Sequence, residues 1–125
     1  VGEKMRIFPQ FKAALITLTR EEQNRFHYMK GDTEGLVNIP LSIKDICFSV
    51  FLREDTEKDM IKISLRSEGT FPCNQVASEF FNGGGHENAA GGRLYMPENI
   101  NSIEDAAEYI EKHTHIYFTE YEKNC

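Results

Sequence analysis

The chain has no tryptophan, no Cys-x-x-Cys pair, no membrane-length apolar run and no excess of positive charge. Each lack narrows the field. The three cysteines, Cys47, Cys73 and Cys125, are odd in number and scattered, so a disulfide framework is not expected. A reducing, cytoplasmic compartment is the matching expectation. A formal net charge of −6 argues against a module that coats long nucleic acid without specificity, because that task needs a basic footprint. A few arginines can still set a local field for a small anion. No stretch approaches the roughly 20 apolar residues of a membrane span, and no signal peptide opens the chain. The abrupt start at Val1, a few residues before strand-like sequence, reads as the edge of a piece of a longer protein.

What is present is enough for one core. The 125 residues, 40% of them hydrophobic and nine of them phenylalanine, fit a single globular domain over residues 1–125. Lys12 to Thr19 is apolar and β-branched, and reads as a strand. Arg20 to Lys30 reads as a charged surface helix ended by Gly31. Asp32 or Thr33 can cap a short helix that Pro40 interrupts or opens. Ile46, Phe48, Val50 and Leu52 then alternate onto one face, and Ile61, Ile63 and Leu65 repeat the pattern beyond a charged connector. These two segments predict an antiparallel hairpin. Pro72 to Asn82 predicts a helix burying Val76, Ala77, Phe80 and Phe81. Arg93 to Met96 predicts a strand that can begin near Ala89. Ser102, with Asp105 three residues on, opens a last helix striped by Ile103, Ala106, Ala107 and Ile110. Hairpin and crossover signals coexist in the order β–α–α–β–β–α–β–α. The expected class is therefore α/β (α+β), a mixed sheet of four to five strands flanked by helices.

The stretch from Gly83 to Gly92, GGGHENAAGG, holds five glycines in ten residues around one histidine. Glycine permits positive φ and close backbone approach. Successive glycines can also turn their N–H groups toward one point, a nest for an anion. A P-loop does not fit, because here the glycines close a helix and precede a strand, so the helix end contributes a negative field. Anion affinity would have to come from backbone N–H groups, His86 and nearby arginines. Arg66, on the polar face of its strand, can grip phosphate with its planar fork. Arg93 directly follows the second glycine pair. Taken singly, a glycine cluster is most often a turn and each arginine a solvated surface charge. Their combination with His86 and the small residues Ala89, Ala90 and Gly91 is what points to a ligand.

Other constellations carry less. His113 and His115, if both helical, diverge by about 200° and cannot share a metal; if the helix has ended they could, but no familiar ligand spacing surrounds them. Phe26, Tyr28, Phe48, Phe51, Phe80 and Phe81 read as core in preference to base-stacking platforms. Tyr117, Phe118 and Tyr121 suit packing on the sheet or on a partner subunit. Cys47 and Cys73 have no basic partner that would make a reactive thiolate.

Gly83, Gly84, Gly85, His86, Ala89, Ala90 and Gly91 match the Gly-Gly-Gly-His-x-x-Ala-Ala-Gly signature of the DHH-associated domain, which the chain resembles. Asn82 stands where relatives often carry a further glycine, and asparagine also tolerates positive φ. The strand ending Leu65, Arg66, Ser67 and the segment Thr33 to Asn38 are similar to the family as well, so the resemblance covers nearly the whole chain. It is nearest the bacterial oligoribonuclease and pAp-phosphatase type, the exopolyphosphatase-related proteins. The resemblance implies the substrate-binding domain of a phosphoesterase acting on short oligonucleotides or nucleotide phosphates. Arg66, Gly83, Gly84, Gly85, His86, Asn88, Ala89, Ala90, Gly91 and Arg93 would contact substrate, and no residue of this chain would be catalytic or bind metal. Two divalent cations, usually manganese, are implied for an N-terminal DHH domain, whose Asp-His-His motif is absent from these 125 residues. That domain is the implied partner; a homodimer is allowed and a membrane is not expected. A non-catalytic nucleotide-binding module is the alternative. The related domain of alanyl-tRNA synthetases fits less well, since that form usually lacks the histidine.

Overall fold

A computed structural model describes residues 5–8, 13–25, 33–43, 46–55, 59–69, 72–96 and 100–121. Its centre is a mixed sheet in the order β1-β2-β3-β4-β6-β5. The strands are β1 (Met5–Phe8), β2 (Ala13–Leu18), β3 (Phe48–Glu54), β4 (Met60–Ser67), β5 (Gly84–Gly85) and β6 (Ala89–Tyr95). The helices are α1 (Arg20–Arg25), α2 (Thr33–Asn38), α3 (Cys73–Phe80) and α4 (Ile103–Tyr121), with a 3-10 turn at Ile39–Ser42. The mixed character has a local origin. The short charged connector lets β3 and β4 pair antiparallel, whereas β2 and β3 pair parallel and need the crossover that α1 and α2 supply.

Alternation decides which residues enter the core. Leu15, Phe48, Val50, Leu52, Ile61, Ile63, Leu65 and Leu94 form one sheet face, which α3 and α4 cover with Val76, Ala77, Phe81, Ile103, Ala106, Ala107 and Ile110. The predicted helix stripes are the ones buried, except that Phe80 lies at the core's margin. The Ser102 cap forms as expected, its Oγ accepting from the Asp105 N–H at 3.1 Å. On the opposite face Ile16, Leu18, Val37 and Phe51 make a smaller cluster over β2 and β3. There α2 packs against β3 and β4, and apart from the buried Met60 the β4–β6 part of this second face carries half-buried or exposed residues.

Two strands go beyond the expected set, β1 and the two-residue β5, alongside the four that were anticipated. The first helix also differs from its reading as a purely surface element, because Glu22 and Gln23 are buried. Thr19 and Glu22 form a capping box: the Thr19 N–H donates to Glu22 Oε1 at 2.9 Å and the Glu22 N–H to Thr19 Oγ1 at 3.1 Å. Gln23 Nε2 donates to the Glu54 carbonyl at 2.6 Å, tying the helix to β3. The second half of that predicted helix, with Phe26, His27 and Tyr28, lies outside the described residues. Cys73 is a free, buried thiol. Cys47 is disulfide-bonded, contrary to the expectation of reduced cysteines.

Candidate functional site

The glycine stretch runs from the end of α3 into a hairpin on the edge of the sheet. Asn82 takes φ 54°, the left-handed conformation that turns the chain off the helix. Its side-chain Nδ2 donates to the Arg93 carbonyl at 3.1 Å. Beyond it, Gly84 pairs with Gly91 and Gly85 with Ala90. The hairpin closes at His86 and Ala89, whose backbones exchange hydrogen bonds of 2.8 and 3.3 Å.

The anion nest expected from three successive glycines is not built. The Gly83 N–H donates to the Ala77 carbonyl at 3.1 Å and the His86 N–H to the Ala89 carbonyl at 2.8 Å. Ladder alternation makes Gly84 and Gly91 the next bonded pair, which leaves only the Gly85 N–H directed outward. The glycines answer a packing demand instead. A Cβ on Gly83 would stand 2.0 Å from the Gly91 oxygen, and one on Gly92 would stand 2.2 Å from the Phe81 oxygen. Gly85, at φ 145°, needs glycine for its backbone as well. Gly84 is different: a Cβ there would meet nothing within 4 Å.

The tip of the hairpin is pinned to its neighbours. Asn88 Nδ2 donates to Ser67 Oγ at 2.9 Å and to the Gly69 carbonyl at 3.0 Å. The Ser67 N–H returns to the Asn88 carbonyl at 3.0 Å, and the Cys73 N–H donates to the Glu87 carbonyl at 2.8 Å. Asn88 therefore spends its amide N–H donors on the fold. Asn88→Ala is expected to cost about 1–2 kcal/mol of stability, seen as a lower urea midpoint, with little direct effect on ligand contacts.

Register places the remaining candidates. Arg66 on β4 stands opposite Ala89 on β6, and Ala89 stands opposite His86 across the turn. Arg66 and His86 thus flank one methyl group in a single cross-strand row, about 10 Å apart at their Cα atoms. Arg66 is half-buried, and its Nη1 donates to the Leu65 carbonyl at 2.8 Å and the Ala90 carbonyl at 3.3 Å. His86 is exposed. Arg93 does not join this pair. It lies opposite Lys62, four residues along β6 from Ala89, or about 13 Å away. Ala90 faces the core at 6% exposure and is unavailable to a ligand. Gly91 shares the face of Ala89 two residues on. Among the described residues no His, Cys, Asp or Glu group could hold a metal ion, and the α4 helix runs through both His113 and His115. Cys73 is no nucleophile: burial pushes its thiol up to about 11, against smaller opposing effects of Ser67 and Arg66.

A helix-backed mixed sheet whose glycine-rich edge hairpin sets a histidine and an arginine in one row defines a class of small α/β domain. The DHHA1 domain matches residues 13–112, and the chain belongs to that family, a domain of the DHH-family phosphoesterases. An exopolyphosphatase-related protein from Bacteroides fragilis is 55% identical, with a TM-score of 0.75 over 94% of this chain and 34% of its own length. An uncharacterized protein from Helicobacter pylori shares the fold at 22% identity and a TM-score of 0.52, over 91% of this chain and 28% of its own. So does a pGpG-specific phosphodiesterase from Vibrio cholerae, at 16% identity and a TM-score of 0.62, over 94% and 36%. The chain therefore spans about a third of the length of the solved proteins it resembles. No curated protein matches it. Among the described residues no helix is long and apolar enough to cross a membrane.

Proposed function

We propose that this chain is the substrate-binding domain of a metal-dependent phosphoesterase and holds a phosphate of a short oligonucleotide or nucleotide between Arg66 and His86. The observation that carries the reading is the row Arg66–Ala89–His86. Alanine keeps the floor low between two long donor side chains that share a face of the sheet. A guanidinium fork and an imidazole reaching over it can contact different oxygens of one phosphate. The guanidinium is steadied from below by two carbonyls, so less side-chain freedom is lost on binding.

Hydrolysis is assigned to a DHH catalytic domain carrying two divalent cations, which supply the activated water. The chain's own part is to bind and orient. A small phosphate ester offers little area, so clamping it between two domains excludes water and fixes the phosphorus for in-line attack. Cationic and donor groups on the phosphoryl oxygens also stabilise the charge that develops there. The acidic balance of the chain suits a short ligand with few phosphates to match.

His86 gives the direct test. Titration of the full chain with a 5′-phosphorylated diribonucleotide is expected to show His86→Ala binding about 5–20-fold more weakly, the loss of one hydrogen bond to a charged group. Its unfolding midpoint should not move, because the imidazole is exposed. Unchanged affinity would remove His86 from the site. Tight binding to the same ligand by a full-length protein that never hydrolyses it would favour a non-catalytic module.

A further inference from the structure

Among the described residues three large hydrophobic side chains are exposed: Ile7 at 42%, Ile39 at 44% and Tyr95 at 41%. All three belong to the side of the sheet that carries the Arg66 row. Register puts Ile7 of β1 in that row itself, through Ala14 and Ser49 to Arg66. Tyr95 lies six residues from Ala89 on the same face of β6. Ile39 directly follows α2, which packs on β3 and β4 from this side and gives Val37 to its apolar cluster. The opposite side, covered by α3 and α4, exposes no large hydrophobic side chain among the described residues. A single exposed apolar residue is ordinary. Three gathered around one binding row mark a contact surface.

Gly35 is an independent sign of the same thing. It is exposed inside α2, one helical turn before Ile39, while Val37 and Pro40 are buried. Its φ is not left-handed, and a Cβ there would meet nothing within 4 Å. Neither backbone nor packing asks for glycine, which weakens a helix relative to alanine. What the bare surface does permit is close approach by another segment.

We infer that this side of the sheet docks the rest of the polypeptide, the part to which hydrolysis is assigned above, with Gly35 as the point of closest approach and Ile7, Ile39 and Tyr95 as the apolar contacts. This rests on the reading of Arg66 and His86 as the phosphate row. The chain spans about a third of the length of the solved proteins it resembles, so most of such a protein lies outside it. Groups that act on a phosphate held by the row have to come down on this face, beside α2. From Ile7 to Tyr95 the face spans four strand spacings and six residues, about 20 Å each way. Covering it would bury roughly 800 Å² over both partners, within the range of inter-domain contacts. A contact of that size, with a polar row at its centre, opens and closes, so the ligand enters before the face is covered.

The test uses the full-length protein, followed by small-angle X-ray scattering and by hydrolysis of a 5′-phosphorylated diribonucleotide. The unchanged protein is expected to become more compact when saturated with the dinucleotide. Gly35→Leu and Ile39→Glu should each abolish that compaction and lower kcat/KM about 10-fold or more. In the 125-residue chain both variants should bind the dinucleotide within about twofold of the unchanged chain, as surface changes away from the row. Gly35→Leu should also raise the urea midpoint, since leucine favours the helix. Undisturbed compaction and kcat/KM in both variants would overturn the docking surface. So would a change of oligomeric state in light scattering with compaction intact, because the face would then pair two copies. Arg66→Ala reports separately on the underlying reading: it should weaken dinucleotide binding by the 125-residue chain. If that binding survives Arg66→Ala while Gly35→Leu and Ile39→Glu still block compaction, the phosphate row fails and the docking surface stands.

Discussion

Gly92→Ala is expected to destabilise the domain by about 4 kcal/mol or more, while Gly84→Ala, eight residues away in the same motif, leaves stability within about 0.5 kcal/mol. The difference is steric. A methyl group at position 92 would stand 2.2 Å from the Phe81 oxygen and 2.7 Å from the Phe81 Cβ. The chain cannot slide away cheaply, because the Arg93 N–H is bonded to that same oxygen at 2.6 Å. Separation would break this bond and lift Phe81, 1% exposed, out of its contacts with the core and with the Tyr109 ring. Overpacking costs about 1–3 kcal/mol by itself, the lost hydrogen bond about 1, and the partial exposure of a phenylalanine the remainder. For a domain of ordinary stability, about 5–15 kcal/mol, that is a large share. Urea unfolding followed by far-UV circular dichroism checks it. A Gly92→Ala midpoint equal to that of the unchanged chain would show that the two segments are not packed as described.

That contrast also explains what could and could not be read beforehand. Strand faces were legible wherever side chains alternated, as in the β3–β4 hairpin, and helix faces wherever apolar residues recurred at the helical period. β5 was not, since three successive glycines carry no side-chain period by which a strand is recognised. The motif therefore suggested a cradle of amides, where the fold uses it to bring two backbones within touching distance. The Thr19–Glu22 box emerges only in the structure, and burial of that helix depends on Glu54 arriving from β3, which local sequence does not reveal. Register was the other missing quantity. In sequence Arg66 lies a helix away from the glycines, whereas His86 and Arg93 adjoin them. Only the pairing of β4 with β6 puts the first two in one row and sends the third four residues away.

Arg66→Ala should weaken binding of a 5′-phosphorylated diribonucleotide about 10–100-fold, the largest single loss of affinity expected from this face. The Arg66 guanidinium is held by the fold on its underside, through the Leu65 and Ala90 carbonyls. Removing it takes away a charge and a planar fork together. Arg66→Lys restores the charge but not the fork, so it should recover only part of the loss. The two carbonyls left behind belong to the paired residues Leu65 and Ala90 and keep their ladder bonds between β4 and β6, so stability should fall by about 1 kcal/mol at most. Affinity is therefore to be measured well below the unfolding transition, where all three proteins are fully folded. Full recovery by lysine would mean that bulk charge, not the geometry of the row, is what the ligand feels. No loss in the alanine variant would place the phosphate elsewhere on the domain.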